Sequence, residues 1–304
     1  MKAAVIGLGT MGPGMAATLA NGGMDVACFD IVPAQLERAR GEVAGALQVL
    51  ERIAGRAPSA GRIDFTGELA AALQGADLVL ESVPEKLEIK QRVFAELDRL
   101  APAAALLASN TSGIPITELQ QATQRKERVL GMHWSNPPTV IPMIEVIAGA
   151  HTAPAAIERM AQLIRGLGLI PVLVQKDVPG FVENRVLYAI LRECCALVER
   201  GVISAADLDT CVKWGIGFKL AVIGPMELLD VAGLDIYEAV GSYLNADLDD
   251  SKSIAAMITE RTRAGRLGMK TGRGIYEYTP ERIAELRARR AAKLVAVRKI
   301  LEER

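Results

Sequence analysis

The chain has 304 residues, enough for two domains of ordinary size. Its 35 basic and 36 acidic residues leave a net charge of −1, which excludes partners drawn by bulk charge, whether nucleic acid or an anionic membrane. Half of the residues are hydrophobic and 4% are aromatic, so aliphatic side chains and Met must fill the cores.

Four cysteines (Cys28, Cys194, Cys195 and Cys211) show no CxxC spacing and no neighbouring His. Neither a zinc site nor a disulfide framework is expected from them. Lys2 runs straight into the apolar Ala3-Ala4-Val5-Ile6, so no leader peptide is expected before the first strand. No apolar run approaches the length that spans a bilayer, so a cytoplasmic location is the default expectation.

In chain order, Ala3–Ile6 reads as a strand, Met11–Asn21 as a helix and Asp25–Asp30 as a strand. A long helix follows over Pro33–Ala54. Then come a strand at Ile63–Thr66, a helix at Glu68–Gln74 and a strand at Asp77–Glu81. A helix opens at Pro84 and runs to Leu100, and Ala105–Ser109 is a strand. This alternation is the rhythm of a parallel, doubly wound α/β sheet. It then changes. Arg128–His133 and Met143–Ala148 are strand-like around a Pro-rich turn, which predicts antiparallel pairing. A helix (Ala153–Leu167) and a strand (Ile170–Val174) lead to Lys176-Asp177-Val178-Pro179-Gly180, a domain boundary by composition. Beyond it the pattern is helical. Phe181, Val182, Val186, Leu187, Ile190, Leu191, Cys194, Leu197 and Val198 form an apolar face broad enough to predict a buried central helix. Further helices are expected over Ser204–Trp214, Pro225–Ala232, Asp235–Tyr243 and, amphipathic, from Pro280 onward.

Gly7-Leu8-Gly9-Thr10-Met11-Gly12 fits GxGxxG and lies between a strand and a helix, the context that dinucleotide binding requires. Gly7 permits the tight turn, Gly9 lets the backbone approach a pyrophosphate, and Gly12 lets helix and strand pack closely. The unpaired N–H groups of the helix N-terminus then face the phosphates. Asp30 closes the second strand. A carboxylate there accepts hydrogen bonds from ribose hydroxyls and repels an added 2′-phosphate, so NAD is expected rather than NADP. The alternative is a structural glycine turn with a surface Asp.

The chain has two histidines. His151, at a helix start, reads as a surface residue. His133 ends a strand and enters Trp134-Ser135-Asn136-Pro137-Pro138. A free imidazole titrates near about pH 6.5, so it can act as a general base. A lone strand-end His is more often structural. Glu145 lies within the apolar run Ile141–Ile147, where a charge needs a partner. If the two strands fold back on each other, it reaches His133, fixes its tautomer and stabilises the imidazolium. Otherwise Glu145 faces solvent on an edge strand. Ser109-Asn110-Thr111-Ser112-Gly113 follows another strand and offers small polar groups to a nicotinamide amide or a substrate oxygen, or else a helix cap before Pro115. Asn184, in the broad apolar helix, serves either the substrate or a tie between domains.

At these residues the chain resembles the 3-hydroxyacyl-CoA dehydrogenase family. The shared stretches are Gly7–Gly12, Ser109–Ser112, Gly131–Pro137 with Glu145, Lys176–Arg185, Gly224–Asp235 and Lys270–Tyr276. The resemblance implies a Rossmann-type N-terminal domain (1–178), a helical C-terminal domain (179–304) that dimerises, and an active site between them. It implies His133 as catalytic base with Glu145 as its partner, and Ser112 and Asn184 on the substrate oxygen. Gly7, Gly9, Thr10, Met11, Gly12 and Asp30 would hold NAD, with Glu85, Lys90 and Asn110 at its nicotinamide half. No metal is implied. Two departures shift the substrate away from acyl-CoA. Trp134-Ser135 and Lys219-Leu220-Ala221-Val222-Ile223-Gly224-Pro225 stand where acyl-CoA members carry other patterns, and no lysine occurs between Lys2 and Lys86. Gly217–Pro225 is more similar to members acting on small free acids. Met132–Val146 and Trp214–Asp235 resemble members that oxidise a pyridine-carboxylate aldehyde as its hydrate, with Lys219 or Arg185 to hold the carboxylate. The alternatives are an L-3-hydroxyacyl-CoA dehydrogenase, a β-hydroxyacid dehydrogenase, which would leave His133 and Glu145 unexplained, and a non-catalytic NAD-binding protein.

Overall fold

In the computed structural model, which describes residues 1–54 and 61–302, the short apolar runs lie side by side. The strands are β1 (Lys2–Ile6), β2 (Asp25–Phe29), β3 (Ile63–Thr66), β4 (Leu78–Glu81), β5 (Leu106–Ser109), β6 (Val129–Trp134), β7 (Met143–Ala148) and β8 (Ile170–Val174). They form one sheet in the order β3-β2-β1-β4-β5-β6-β7-β8. Every neighbouring pair is parallel except β6 and β7. The order reverses direction at β1/β4, the switch point where doubly wound sheets open a crevice at the carboxyl ends of their strands.

Both faces of the sheet are covered from β2 to β7, so these strands are mostly apolar on both sides, whereas the edge strand β8 is largely exposed. On one face, α1 (Gly12–Asn21), α2 (Pro33–Ala54) and, further along, α6 (Pro154–Gly166) pack over Val5, Cys28, Leu80, Ala108, Met132 and Val146. On the other, α3 (Leu69–Leu73), α4 (Leu87–Leu100) and α5 (Ile116–Gln120) cover Ala4, Phe29, Val79, Leu107, Val129 and Ile147. The period of two assigns Leu130, Met132 and Trp134 to the first face. His133 is thereby left on the second.

Two helix starts differ from the sequence expectation by more than one residue. Helix α4 begins at Leu87 rather than Pro84, because Glu85 stays outside it with its carboxylate bonded to the Thr111–Gly113 loop. The helix expected from Phe181 begins at Glu183 as α7 (Glu183–Glu199), after Gly180 (φ +79°) and Phe181 (φ +47°) turn the chain through the left-handed region.

The chain divides into two units, Met1–Arg185 and Val186–Arg304, and the division falls in the first turn of α7. The second unit is helical: α8 (Ala205–Cys211), a π-helical turn (Val212–Gly217), α9 (Phe218–Leu220), α10 (Pro225–Ala232), α11 (Leu234–Asp247), α12 (Ala256–Arg263) and α13 (Pro280–Glu302). The broad apolar face of α7, expected in a core, is not buried: the helix holds no buried residue, and Val186, Leu187 and Leu191 are exposed. Ile190, Cys194, Leu197 and Val198 on the same face are half-buried.

The start of β6, and so the position of His133 at its end, is held by a buried ion pair. Arg128 Nη2 donates to Asp98 Oδ1 at 2.8 Å, and its Nη1 donates to the carbonyls of Pro102, Ala103 and Ala105. Burial raises the Asp98 pKa, but the hydrogen bonds and charge of Arg128 and the backbone N–H groups of Gln124 and Arg125 outweigh it and hold the pKa below the usual value. Asp98→Ala would leave the guanidinium uncompensated and is expected to lower the unfolding free energy by about 3–5 kcal/mol, read as the urea midpoint. A lowered folded pKa means that this contribution is complete above the ordinary Asp value of about 3.9 and is lost as pH falls through the folded value. The wild type should therefore lose stability on acidification more steeply than Asp98→Asn.

Candidate active site

The glycine turn after β1 is built as its spacing requires. Gly7 sits at φ +96°, and a Cβ there would lie 2.7 Å from the Ser82 carbonyl oxygen. A Cβ on Gly12 would lie 2.3 Å from the Gly7 carbonyl oxygen. Gly9 differs: no heavy atom lies within 4 Å of where its Cβ would be. That open space, beside Thr10 and Met11 at the entry to α1, suits a pyrophosphate. The Asp30 carboxylate holds the turn itself, accepting from Leu8 N–H at 2.8 Å and Val32 N–H at 2.9 Å. It remains partly exposed, as a ribose-binding carboxylate must. These residues fit NAD.

His133 and Glu145 stand directly opposite each other in the β6/β7 antiparallel register. His133 Nδ1 donates to Glu145 Oε2 at 2.7 Å, which makes Nε2 the nitrogen able to take a proton. Glu145 Oε1 accepts the backbone N–H groups of Val182 and Glu183, both at 3.0 Å. Burial raises the Glu145 pKa, while the His133 hydrogen bond and those two N–H groups outweigh it and keep the carboxylate ionised below its usual range. The Phe181 ring packs on the imidazole at 5.8 Å between centroids. Both side chains are almost fully buried, so the alternative of a solvated edge carboxylate is excluded.

The ends of β4 and β5 carry a second polar system. Glu81, fully buried, accepts from Lys90 Nζ at 2.8 Å and Ser109 Oγ at 2.6 Å. Lys90 is 1% exposed and also lies 3.4 Å from Glu85. Glu85 in turn accepts from Thr111 Oγ1, Ser112 N–H and Gly113 N–H. Burial raises its pKa, and these donors together with Lys90 hold it below the ordinary value. The structure therefore places Lys90 beneath Glu85, facing inward. Asn110 Oδ1 accepts from Trp134 N–H, which ties the end of β5 to that of β6. Asn184 Nδ2 donates to the Ser112 carbonyl, so these two residues are brought together, with Ser112 exposed. His151 is exposed, as expected.

Three contributors were not singled out from the sequence. Glu81 ends an apolar strand and repeats the signal that drew attention to Glu145, a charge closing a buried run. Ser135 and Glu183 are joined at 2.5 Å between Oγ and Oε2. Among the described residues, His133, Glu145 and Glu183 place one ligand atom each within 4.8 Å of one another, a spacing that a cation can bridge. The Nδ1 of His133 and both oxygens of Glu145 are already committed to hydrogen bonds. Among the described residues, no helix is long and apolar enough to cross a membrane.

Residues 2–178 match the family model described as 3-hydroxyacyl-CoA dehydrogenase, NAD binding domain, and residues 180–278 match the corresponding C-terminal domain. The chain is 57% identical to a 5-formyl-3-hydroxy-2-methylpyridine 4-carboxylate 5-dehydrogenase of Mesorhizobium japonicum, over 99% of this chain and 98% of the relative. It is 36% identical to a probable 3-hydroxybutyryl-CoA dehydrogenase of Bacillus subtilis, over 90% of this chain and 96% of the relative. A crystal structure of a 5-formyl-3-hydroxy-2-methylpyridine 4-carboxylic acid 5-dehydrogenase, described as an NAD+-dependent dismutase, superimposes with a TM-score of 0.96 at 57% identity. That match covers 100% of this chain and 99% of the other.

Removing the cation from the β4/β5 system tests its structural weight. Lys90→Met strands the buried Glu81 carboxylate and is expected to cost about 3–5 kcal/mol of stability in denaturant unfolding.

Proposed function

The chain belongs to the 3-hydroxyacyl-CoA dehydrogenase family, and we propose that within it this protein oxidises a small aromatic carboxylate bearing an aldehyde, acting on the aldehyde hydrate. The observation that carries the reading is the buried His133–Glu145 bond at 2.7 Å, at the carboxyl end of β6, the same end of the parallel strands that the glycine turn follows on β1. The Gly7–Gly12 turn and Asp30 would hold NAD, which would supply the hydride acceptor. His133 Nε2 takes the hydroxyl proton as the C–H bond breaks, and Glu145 stabilises the imidazolium so formed. Ser112 and Asn184, already joined to each other, orient the substrate oxygen. Asn110 and Glu85 shape the nicotinamide side, and Lys90 acts there through Glu85.

Two features support 5-formyl-3-hydroxy-2-methylpyridine 4-carboxylate as substrate: the extent of the likeness to dehydrogenases of that compound, and the absence of any lysine between Lys2 and Lys86 for CoA phosphates. Arg185, exposed next to Asn184, offers a cation for the substrate carboxylate. The proposed working form is a cytoplasmic homodimer. In the second unit no helix from α8 to α13 holds a buried residue. Trp214, Phe218, Val222 and Met226 are all more than 60% exposed. An apolar surface of that extent demands cover, and a second copy supplies a self-complementary one.

Following NADH absorbance tests the reading. The pyridine aldehyde is expected to be oxidised far faster than 3-hydroxybutyryl-CoA, and the reverse preference overturns the substrate assignment. His133→Asn should lower kcat by about 10²- to 10⁴-fold while NAD binding persists; an active variant would remove His133 from the chemistry. Analytical ultracentrifugation should find a dimer, with a melting temperature that rises with protein concentration.

A further inference from the structure

Oxidising an aldehyde to an acid needs one operation that oxidising an alcohol does not: water must add to the carbonyl carbon before a hydride can leave. A His–Glu pair that takes one proton suffices for an alcohol. Conversion of an aldehyde to a carboxylate releases two protons in all, one of them from the attacking water, and so calls for a second acceptor. Glu145 cannot serve, since Oε2 is bonded to the imidazole and Oε1 to two backbone N–H groups.

We propose that Glu183 is the general base for water addition, with Ser135 fixing its carboxylate. This rests on the aldehyde reading above. The Glu183 backbone N–H donates to Glu145 at 3.0 Å, so the residue is fastened to the catalytic pair itself. One carboxylate oxygen lies within 4.8 Å of ligand atoms of both His133 and Glu145. Ser135, two residues beyond His133, donates to Glu183 Oε2 and sets its orientation. Glu145 is 1% exposed, whereas Glu183 is only partly buried. Water can therefore reach Glu183, and a proton taken there can leave to solvent. The left-handed Phe181 produces this placement, because it turns residues 182 and 183 back toward Glu145.

The step balances. A water O–H bond breaks and its proton passes to the Glu183 carboxylate. The water oxygen bonds to the aldehyde carbon, and the carbonyl π pair moves onto the carbonyl oxygen. That oxyanion re-forms its double bond as the C–H pair leaves as hydride to NAD, and His133 takes the proton of the new hydroxyl. The carbon is oxidised by two electrons and NAD is reduced by two. The carboxylate is released, and one proton rests on each base.

The two directions of the reaction separate this role from a structural one. Reduction of the free aldehyde by NADH needs a hydride and one proton from His133, but no water. Glu183→Gln should lower kcat for aldehyde oxidation by about 100-fold or more, and for aldehyde reduction by no more than about threefold. Ser135→Ala should follow the same pattern with a smaller loss. NADH fluorescence on binding reports that the variants are folded. Equal losses in both directions, or none in either, overturn the role of Glu183 and leave the dehydrogenase reading intact. A wild type that forms no carboxylate from the aldehyde, with or without accumulation of NADH, overturns both.

Discussion

The hydrogen bond between His133 and Glu145 is the constraint that the site is built around. A carboxylate and an imidazole in an almost dry environment cannot tolerate separation, since each would be left as a desolvated polar group. The antiparallel register of β6 and β7 removes that risk by setting the two residues directly across from each other. Had β7 joined the sheet parallel, like its neighbours, a crossover of a dozen or more residues would be needed between them. The short connection in the sequence and the single antiparallel pair in the sheet are one fact.

Around this pair, charge burial follows a common rule. Glu81, Asp98 and Glu145 are each buried with a cation, an imidazole or several backbone N–H groups already aimed at them. The partners lie on different strands and loops, so each buried carboxylate also acts as a joint. Glu81 joins β4 to α4 and β5, Asp98 joins α4 to the start of β6, and Glu145 joins β7 to the segment that opens α7. The polar interior thus fixes the relative heights of the strand ends on which the functional side chains sit.

Much of this was legible in the chain. The glycine spacing, the strand–helix alternation and the charge inside Ile141–Ile147 announced the doubly wound sheet, the dinucleotide turn and the His133–Glu145 pair, because each is a local pattern with a strict periodicity. The Glu81–Lys90–Glu85 system was harder to read, since it depends on which way helix α4 presents Lys90, and that is set by packing. Glu183 was hidden for a similar reason: only the left-handed turn at Phe181 tells that it points back to Ser135 rather than along a helix that would have begun earlier. The apolar face of α7 was correctly seen and wrongly placed. A stripe of Val, Leu and Ile states that a surface will be dry, but not whether the same chain supplies the cover.

The loop between β6 and β7 leans on α1. Pro138 lies so close to Gly14 that a Cβ there would come within 2.6 Å of its ring, and Thr18 donates to the Pro138 carbonyl. A side chain at residue 14 would lift the hairpin apex as well as disturb the first turn of α1. In evolutionary terms, the helix that follows the glycine turn and the strand end that carries His133 are inherited together. A lineage that alters this helix must re-adjust the strand end that carries His133 in the same step.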